Sequence, residues 1–321
     1  MFILFCILFV KSPAINIFGQ QPIVTIPESR WIHQMTYDEK NNQILLFGGA
    51  TNDKILGDLW SFNVSGWKKL SDSGPPPRCK TFIVYDKFRH VAVLFGGQTS
   101  DDKLLNDTWE WNGKSWKEIQ ITSPPARNHS MAVYDEKHKE IILFGGFGNS
   151  GLLLDTWSFK GESWKLRNNV GPKDCLPHSL IYDEDHQSVL MITVILQNNP
   201  KDSIHKINEM WEWTGDHWNK LNQQLPPTSY QSLQTLSSFG KSGIVLFDGD
   251  DIKNNMALTW SYINKKWISR RIDGPSPRIG SAMIFDKKRM KTILFGGSNR
   301  TTMFNDVWEW DGGKWKEVYI N

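Results

Sequence analysis

Tryptophan recurs in this chain at a nearly fixed interval, and that interval limits the fold more than any other feature. Trp60, Trp109, Trp157, Trp211, Trp260 and Trp308 are separated by 49, 48, 54, 49 and 48 residues. A second tryptophan follows seven residues after each, at Trp67, Trp116, Trp164, Trp218, Trp267 and Trp315. Six anchors at one constant offset require six copies of one structural unit. A glycine pair precedes the anchors in four copies, its first member falling at Gly48, Gly96, Gly145 and Gly296. Thr193 and Asp248 occupy that slot in the other two.

Each copy reads as four short strands. Strand a starts near Arg30 in the first copy and runs to Tyr37. Strand b is an apolar run into the glycine pair, as in Ile141-Ile142-Leu143-Phe144. Strand c carries Trp-x-aromatic, and strand d starts at the second tryptophan. Joints such as Gly74-Pro75-Pro76-Pro77-Arg78 separate the copies, because proline has no place in a central strand. A four-stranded sheet cannot bury its own two faces. Radial stacking of such sheets buries both, and rings of this kind hold about 4–8 blades. The expectation is an all-β, six-bladed β-propeller with four antiparallel strands per blade. The blades fall at about 30–73, 74–122, 123–170, 171–225, 226–273 and 274–321. Side chains two apart on a strand share a face. The doublets Trp60/Phe62, Trp109/Trp111, Trp157/Phe159, Trp211/Trp213, Trp260/Tyr262 and Trp308/Trp310 are therefore read as packing between blades, not as stacking platforms for sugars. No strand is left over for exchange between the first and last blades, although Ile23–Ile26 offers an additional outer strand.

The glycine pair, the Tyr-Asp before it and the spaced tryptophans resemble the kelch repeat, over about nine-tenths of the chain. The form Asp-x-Trp-x-Trp-x-Gly-x-x-Trp, at Asp107–Trp116 and Asp306–Trp315, resembles the kelch group that includes the galactose oxidase central domain. That resemblance implies a propeller. The copper chemistry of galactose oxidase needs tyrosine and histidine ligands and a tyrosine joined to a cysteine. No matching constellation occurs, so the chemistry is not carried over.

Residues 2–10 form an unbroken apolar run ended by Lys11-Ser12-Pro13. Nine residues are too few to span a bilayer, which takes about 20. They fit the apolar region of a secretory signal peptide, assigned to residues 1–19, with 20–29 as a lead-in. Secretion to an extracellular or periplasmic space follows, with no membrane span after the signal is removed. Sequons at Asn63, Asn106, Asn128 and Asn299 matter only in a eukaryotic source. The 37 basic and 34 acidic residues are interspersed without a basic stripe, which argues against nucleic acid. Cys79 and Cys175 start blades two apart, beyond the roughly 7 Å that a disulfide allows, and are expected as free thiols.

The b–c loops and d–a joints share one face with the starts of strand a. Blade 4 has a b–c loop six residues longer than the others, around 197–206, and it contains Lys201 and His205. The first position of strand a is Arg30, Arg78, Arg127 and Arg278 in four blades, and Cys175 and Tyr230 in the others. Guanidiniums there are suited to bidentate contact with a carboxylate or sulfate. An arginine after proline is, however, part of the repeat pattern itself, which favours a charge-assisted bond to backbone or to a repeat aspartate such as Asp58 or Asp107. His33 and His178 occupy one layer of strand a in facing blades, and His129 is assigned to the opposite side of its strand. Three or four converging ligands are needed to hold a metal, so no metal or cofactor is expected.

The sequence thus reads as a monomeric, exported, non-catalytic scaffold that binds protein or carbohydrate. Its candidate contacts are Arg30, Arg78, Arg127, Tyr230, Arg278, His33, His178, Lys201 and His205. No Gly-x-Ser-x-Gly, Gly-x-x-x-x-Gly-Lys or His-Glu-x-x-His motif occurs. The competing reading is an enzyme of the mutarotase or epimerase kind, less readily an oxidase, acting on a sugar or sugar acid at the channel mouth. In that reading the arginines hold an anionic group and His33 or His178 moves a proton.

Overall fold

The computed structural model describes residues 25–172, 175–198, 204–223, 225–226, 235–238, 243–251, 256–264, 266–270, 272–299 and 301–318. It forms six four-stranded antiparallel sheets, each built from four consecutive strands. Blade 1 holds β1 to β4 at Gln34–Asp38, Gln43–Phe47, Leu59–Asn63 and Gly66–Ser71. Blade 2 holds β5 to β8 at Phe82–Asp86, Val91–Phe95, Thr108–Trp111 and Trp116–Ile119. Blade 3 holds β9 to β12 at Met131–Asp135, Glu140–Gly148, Gly151–Phe159 and Trp164–Asn168. Blade 4 holds β13 to β16 at Cys175–Asp183, Ser188–Asn198, Ile204–Trp213 and Trp218–Leu221. Blade 5 holds β17 to β20 at Thr235–Ser238, Ile244–Asp251, Met256–Ile263 and Lys266–Arg270. Blade 6 holds β21 to β24 at Ala282–Asp286, Lys291–Phe295, Val307–Trp310 and Trp315–Val318. The innermost strands β1, β5, β9, β13, β17 and β21 contact one another in that order, and β21 returns to β1. Among the described residues no helix is long and apolar enough to cross a membrane.

The second tryptophan explains the stacking in five of the six repeats. Its ring meets the phenylalanine just before the glycine-pair slot on strand b of the preceding blade; blade 4 has Ile192 there. Trp116 lies 5.5 Å from Phe47, Trp164 5.2 Å from Phe95, Trp218 5.5 Å from Phe144, and Trp315 5.9 Å from Phe247, centroid to centroid. Trp67 of blade 1 meets Phe295 of blade 6 at 4.8 Å in the same way. The ring therefore closes through an ordinary blade interface, with no exchanged strand among the described residues. Thr25 and Ile26 are irregular, so no outer strand forms there; Ile23 and Val24 lie outside the described residues.

The Tyr-Asp pair has two separate jobs. The aspartate caps the a–b turn, its Oδ1 accepting a backbone N–H three residues on: Asn41 to Asp38 at 3.1 Å, Arg89 to Asp86 at 3.0 Å, Arg289 to Asp286 at 3.0 Å. The tyrosine reaches the turn of the neighbouring blade. Lys40 N–H donates to the Tyr85 hydroxyl at 3.3 Å, and Lys288 N–H donates to that of Tyr37 at 3.2 Å.

Candidate functional site

The arginines do not start strand a. Arg30, Arg78, Arg127 and Arg278 stand four residues ahead of β1, β5, β9 and β21, in the joint between blades. The reason is a left-handed residue two positions after each arginine: Ile32 (φ 48°), Lys80 (φ 54°), His129 (φ 50°) and Gly280 (φ 66°). Such a conformation breaks a strand and is strained for a β-branched residue like isoleucine. Neighbouring blades stabilise it. Ile32 N–H donates to Gly280 O at 2.7 Å, Lys80 N–H to Ile32 O at 3.3 Å, and His129 N–H to Lys80 O at 2.9 Å. These bonds make a partial collar around the channel mouth. Blade 4 places Pro177 at the same step, a residue with no N–H to continue it.

Each guanidinium is buried. Arg78 Nη1 and Nη2 donate to the two Asp107 oxygens at 2.6 and 2.7 Å, Nη1 also to Gly96 O at 3.0 Å, and Nε to Pro76 O at 3.1 Å. Asp107 Oδ2 also accepts the Trp109 indole N–H at 2.7 Å. Arg30–Asp58–Trp60, Arg127–Asp155–Trp157 and Arg278–Asp306–Trp308 repeat this arrangement. Burial alone would raise the Asp107 carboxyl. The Arg78 bonds and charge, then the Trp109 bond, outweigh that and hold it below its ordinary value. The arginine backbone meanwhile clasps the blade before it: Arg78 N–H donates to Leu56 O, and Gly49 N–H donates to Arg78 O. Gly48 is obligatory here, because a Cβ on it would lie 2.5 Å from Arg78 O. Arginine, glycine pair and aspartate are thus one clamp. Blade 4 has Cys175 and Glu209 at the arginine and aspartate positions, blade 5 has Tyr230 and Leu258, and both lack the pair. The indole N–H groups of Trp211 and Trp260 correspondingly have no hydrogen-bond partner. With 0–2% of each residue exposed, the four arginines serve the frame and are out of a ligand's reach.

His33 is also withdrawn. Its ring lies edge-on to Phe295 at 5.4 Å, turned toward blade 6, and 1% of the residue is exposed. Burial, then the Arg30 charge, lowers its pKa to about 3. His33 is therefore neutral and is not placed for proton exchange with solvent. Tyr230 and Lys201, and the side chains of His178 and His205, lie outside the described residues. Cys79 is a buried free thiol.

Two other residues line the mouth: Lys80, which is not among the candidates, and His129, which the repeat register sets on the opposite side of its strand but which the left-handed turn brings to the channel. Lys80 and His129 flank a central channel of about 280 Å³. Lys80 Nζ and the Asn128 amide both donate to Gln98 Oε1, at 3.1 and 2.6 Å. The His129 ring lies edge-on to Phe147 at 6.2 Å, and burial, then Lys80, lowers its pKa to about 4. The offset of two from each arginine was the available signal.

The two ends of the channel differ. At the a–b turn end, Lys87 pairs with Glu39 at 3.1 Å and with Glu136 in a tight contact; Lys287 pairs with Glu39 at 3.0 Å and Glu184 at 3.1 Å. Burial would raise the Glu39 carboxyl, but Lys87 and then Lys287 hold it below its ordinary value. This lattice spans the axis from five blades. Among the described residues the b–c end carries no such ion-pair lattice, and its rim is uneven. Blade 4's longer loop is a hairpin extension: β14 and β15 stay paired out to Asn198 and Ile204. Blade 3 carries a raised hairpin too, paired out to Gly148 and Gly151, although its loop is no longer than those of blades 1, 2 and 6. Phe147 and Leu152 pair across its tip, each 39% exposed.

Comparison with known proteins agrees with this architecture. Residues 16–121 match the model of the KLHDC2/KLHL20/DRC7 Kelch-repeats domain. The solved structure entitled "Structure of YjhT" superposes with a TM-score of 0.65, covering 92% of this chain and 99% of that one, at 13% identity. No curated protein matches the sequence. Six blades, the repeat spacing and these matches together make the chain a six-bladed β-propeller, whose first part matches a kelch-repeat model.

Proposed function

We propose that this kelch propeller is an exported, non-catalytic scaffold that binds a protein partner through its b–c face. The contact centres on the raised hairpins of blades 3 and 4 and on the mouth residues Lys80, Gln98, Asn128 and His129. One observation carries the reading. The arginines that could have gripped a small anionic substrate are buried in clamps, whereas the blades without a clamp or beside them lift hairpins off the same face. An uneven rim with exposed apolar residues such as Phe147 and Leu152 suits a protein surface. Loops on a rigid scaffold are the usual place for such contacts. The apolar run at residues 2–10 supports export.

The test is capture of partners by the secreted protein, run beside a glycan array and repeated after deleting 197–202. Loss of a specific protein partner in the deletion variant supports the reading. Binding confined to glycans, or capture unchanged by the deletion, contradicts it.

A further inference from the structure

The a–b turn of blade 3 differs from its counterparts in a way that the binding face does not explain. Asp135 ends β9 and Glu140 begins β10, and the two are direct cross-strand partners. Like charges placed opposite one another on a strand pair repel. Both are buried, at 3% and 2% exposure. His138 lies between them on the turn, its Nδ1 2.7 Å from Asp135 Oδ2. The three side-chain donor atoms lie within 4.8 Å of one another. Glu140 Oε2 makes no hydrogen bond; Lys160 Nζ and Arg167 Nη1 each stand 3.7 Å away. Asp135 is met by His138, through its ring and its backbone N–H at 3.2 Å, whereas Glu140 Oε2 is compensated only at long range.

The other described a–b turns place no acid directly opposite the aspartate, and where a second acid is near, Glu110 in blade 2 and Glu309 in blade 6, the turn arginine pairs with both. Arg89 Nε meets Asp86 at 2.7 Å, with Val91 opposite; Arg289 Nε meets Asp286 at 2.7 Å, with Lys291 opposite. Blade 1 has Gln43 opposite Asp38 and blade 4 has Ser188 opposite Asp183. The blade 4 turn is a natural control, because His186 Nδ1 lies 2.7 Å from Asp183 Oδ2 there and only the acid is missing.

We infer that Asp135, His138 and Glu140 form a binding site for a divalent transition metal of the zinc class. One imidazole nitrogen and two carboxylate oxygens are a ligand set suited to zinc, and three protein ligands leave a fourth position for water. The ion's two positive charges match the two carboxylates. Access is open, since the His138 side chain is 43% exposed. Lys160, 60% exposed at its side chain, can swing out to admit the ion. Among the described residues the strand a histidines offer no converging ligand set; this set is Asp-x-x-His-x-Glu on a turn.

The experiment is calorimetric titration of ZnCl2 into the chelator-treated full chain, with melting temperature followed in parallel. Saturable binding near one ion per chain is expected, with a rise in melting temperature. His138→Gln and Glu140→Gln should each weaken binding by at least about tenfold. Lys160→Met should tighten it, and His186→Gln should leave it unchanged. His138 lies on an exposed turn, so its variant reports on binding even if Glu140→Gln folds poorly. Absence of saturable binding, or binding that follows His186 instead of His138, overturns the inference.

Discussion

The indole of Trp67 meets the ring of Phe295 at 4.8 Å between centroids and 61° between planes, across the seam where the first and last blades join. It is the same contact that joins most other neighbouring blades, and it acts beside backbone bonds such as Ile32 N–H to Gly280 O and Gly297 N–H to Arg30 O, with no shared strand among the described residues. A double-mutant cycle on Trp67→Ala and Phe295→Ala should give a coupling of about 1 kcal/mol, the usual worth of an aromatic pair. Trp67→Ala alone should cost about 3–5 kcal/mol in chemical denaturation. A coupling near zero would mean that the seam is held elsewhere.

The clamp makes a contrasting pair of substitutions. Asp107→Ala strands the buried Arg78 charge and should cost about 3 kcal/mol in urea unfolding. Glu209→Ala sits at the same register of blade 4, where no arginine is present and the partner is the half-exposed Lys220. It should cost less than about 1 kcal/mol. Equal losses would show that the clamp adds nothing.

Much of this was legible in the sequence. The tryptophan interval and its seven-residue echo specify blade number and strand order, because each anchor fills a position that all blades share; how the ring closes is not in the interval and rests on the Trp67–Phe295 contact. Asp58 and Asp107 as arginine partners follow from the same repetition. The start of strand a was misplaced because the left-handed turns at Ile32, Lys80 and His129 have no common residue type; backbone bonds to the next blade stabilise them. For that reason the repeat register leaves Lys80 out of the candidates and sets His129 on the wrong side of its strand. The blade 3 hairpin was invisible for another: its loop is no longer than its neighbours, and only its pairing differs.

Glycine requirements separate space from backbone strain. A Cβ at Gly49 (φ 97°) would lie 2.7 Å from His33 Cβ and 2.8 Å from Trp31 O. At Gly151 (φ 108°) it would meet nothing within 4 Å. Gly151→Ala should cost about 1–2 kcal/mol of strain alone. Gly49→Ala should cost distinctly more and lower the melting temperature by several degrees beyond it. Similar melting temperatures for the two variants would contradict the packing described.

His33 gives the fold an acid limit. Its pKa is lowered to about 3 in the folded chain, against an ordinary 6.5. The unfolded chain therefore takes up this proton as pH falls below about 6.5, while the folded chain does not until about 3. Stability is full above that window and declines through it, by about 2 kcal/mol at pH 5 from this residue. His33→Gln should flatten the dependence between pH 7 and 5, whatever its effect on stability at pH 7. An unchanged slope would show that His33 is not neutral in the folded state.

The most direct measurement of the proposed function is a hydrogen-exchange footprint of the propeller with a captured protein partner. Protection is expected at the tips of the blade 3 and blade 4 hairpins, 147–152 and 196–206, and around Lys80 and His129 at the mouth. Protection confined to the a–b turns at the ion-pair lattice of Glu39, Lys87 and Lys287 would place the partner on the opposite face and contradict the account.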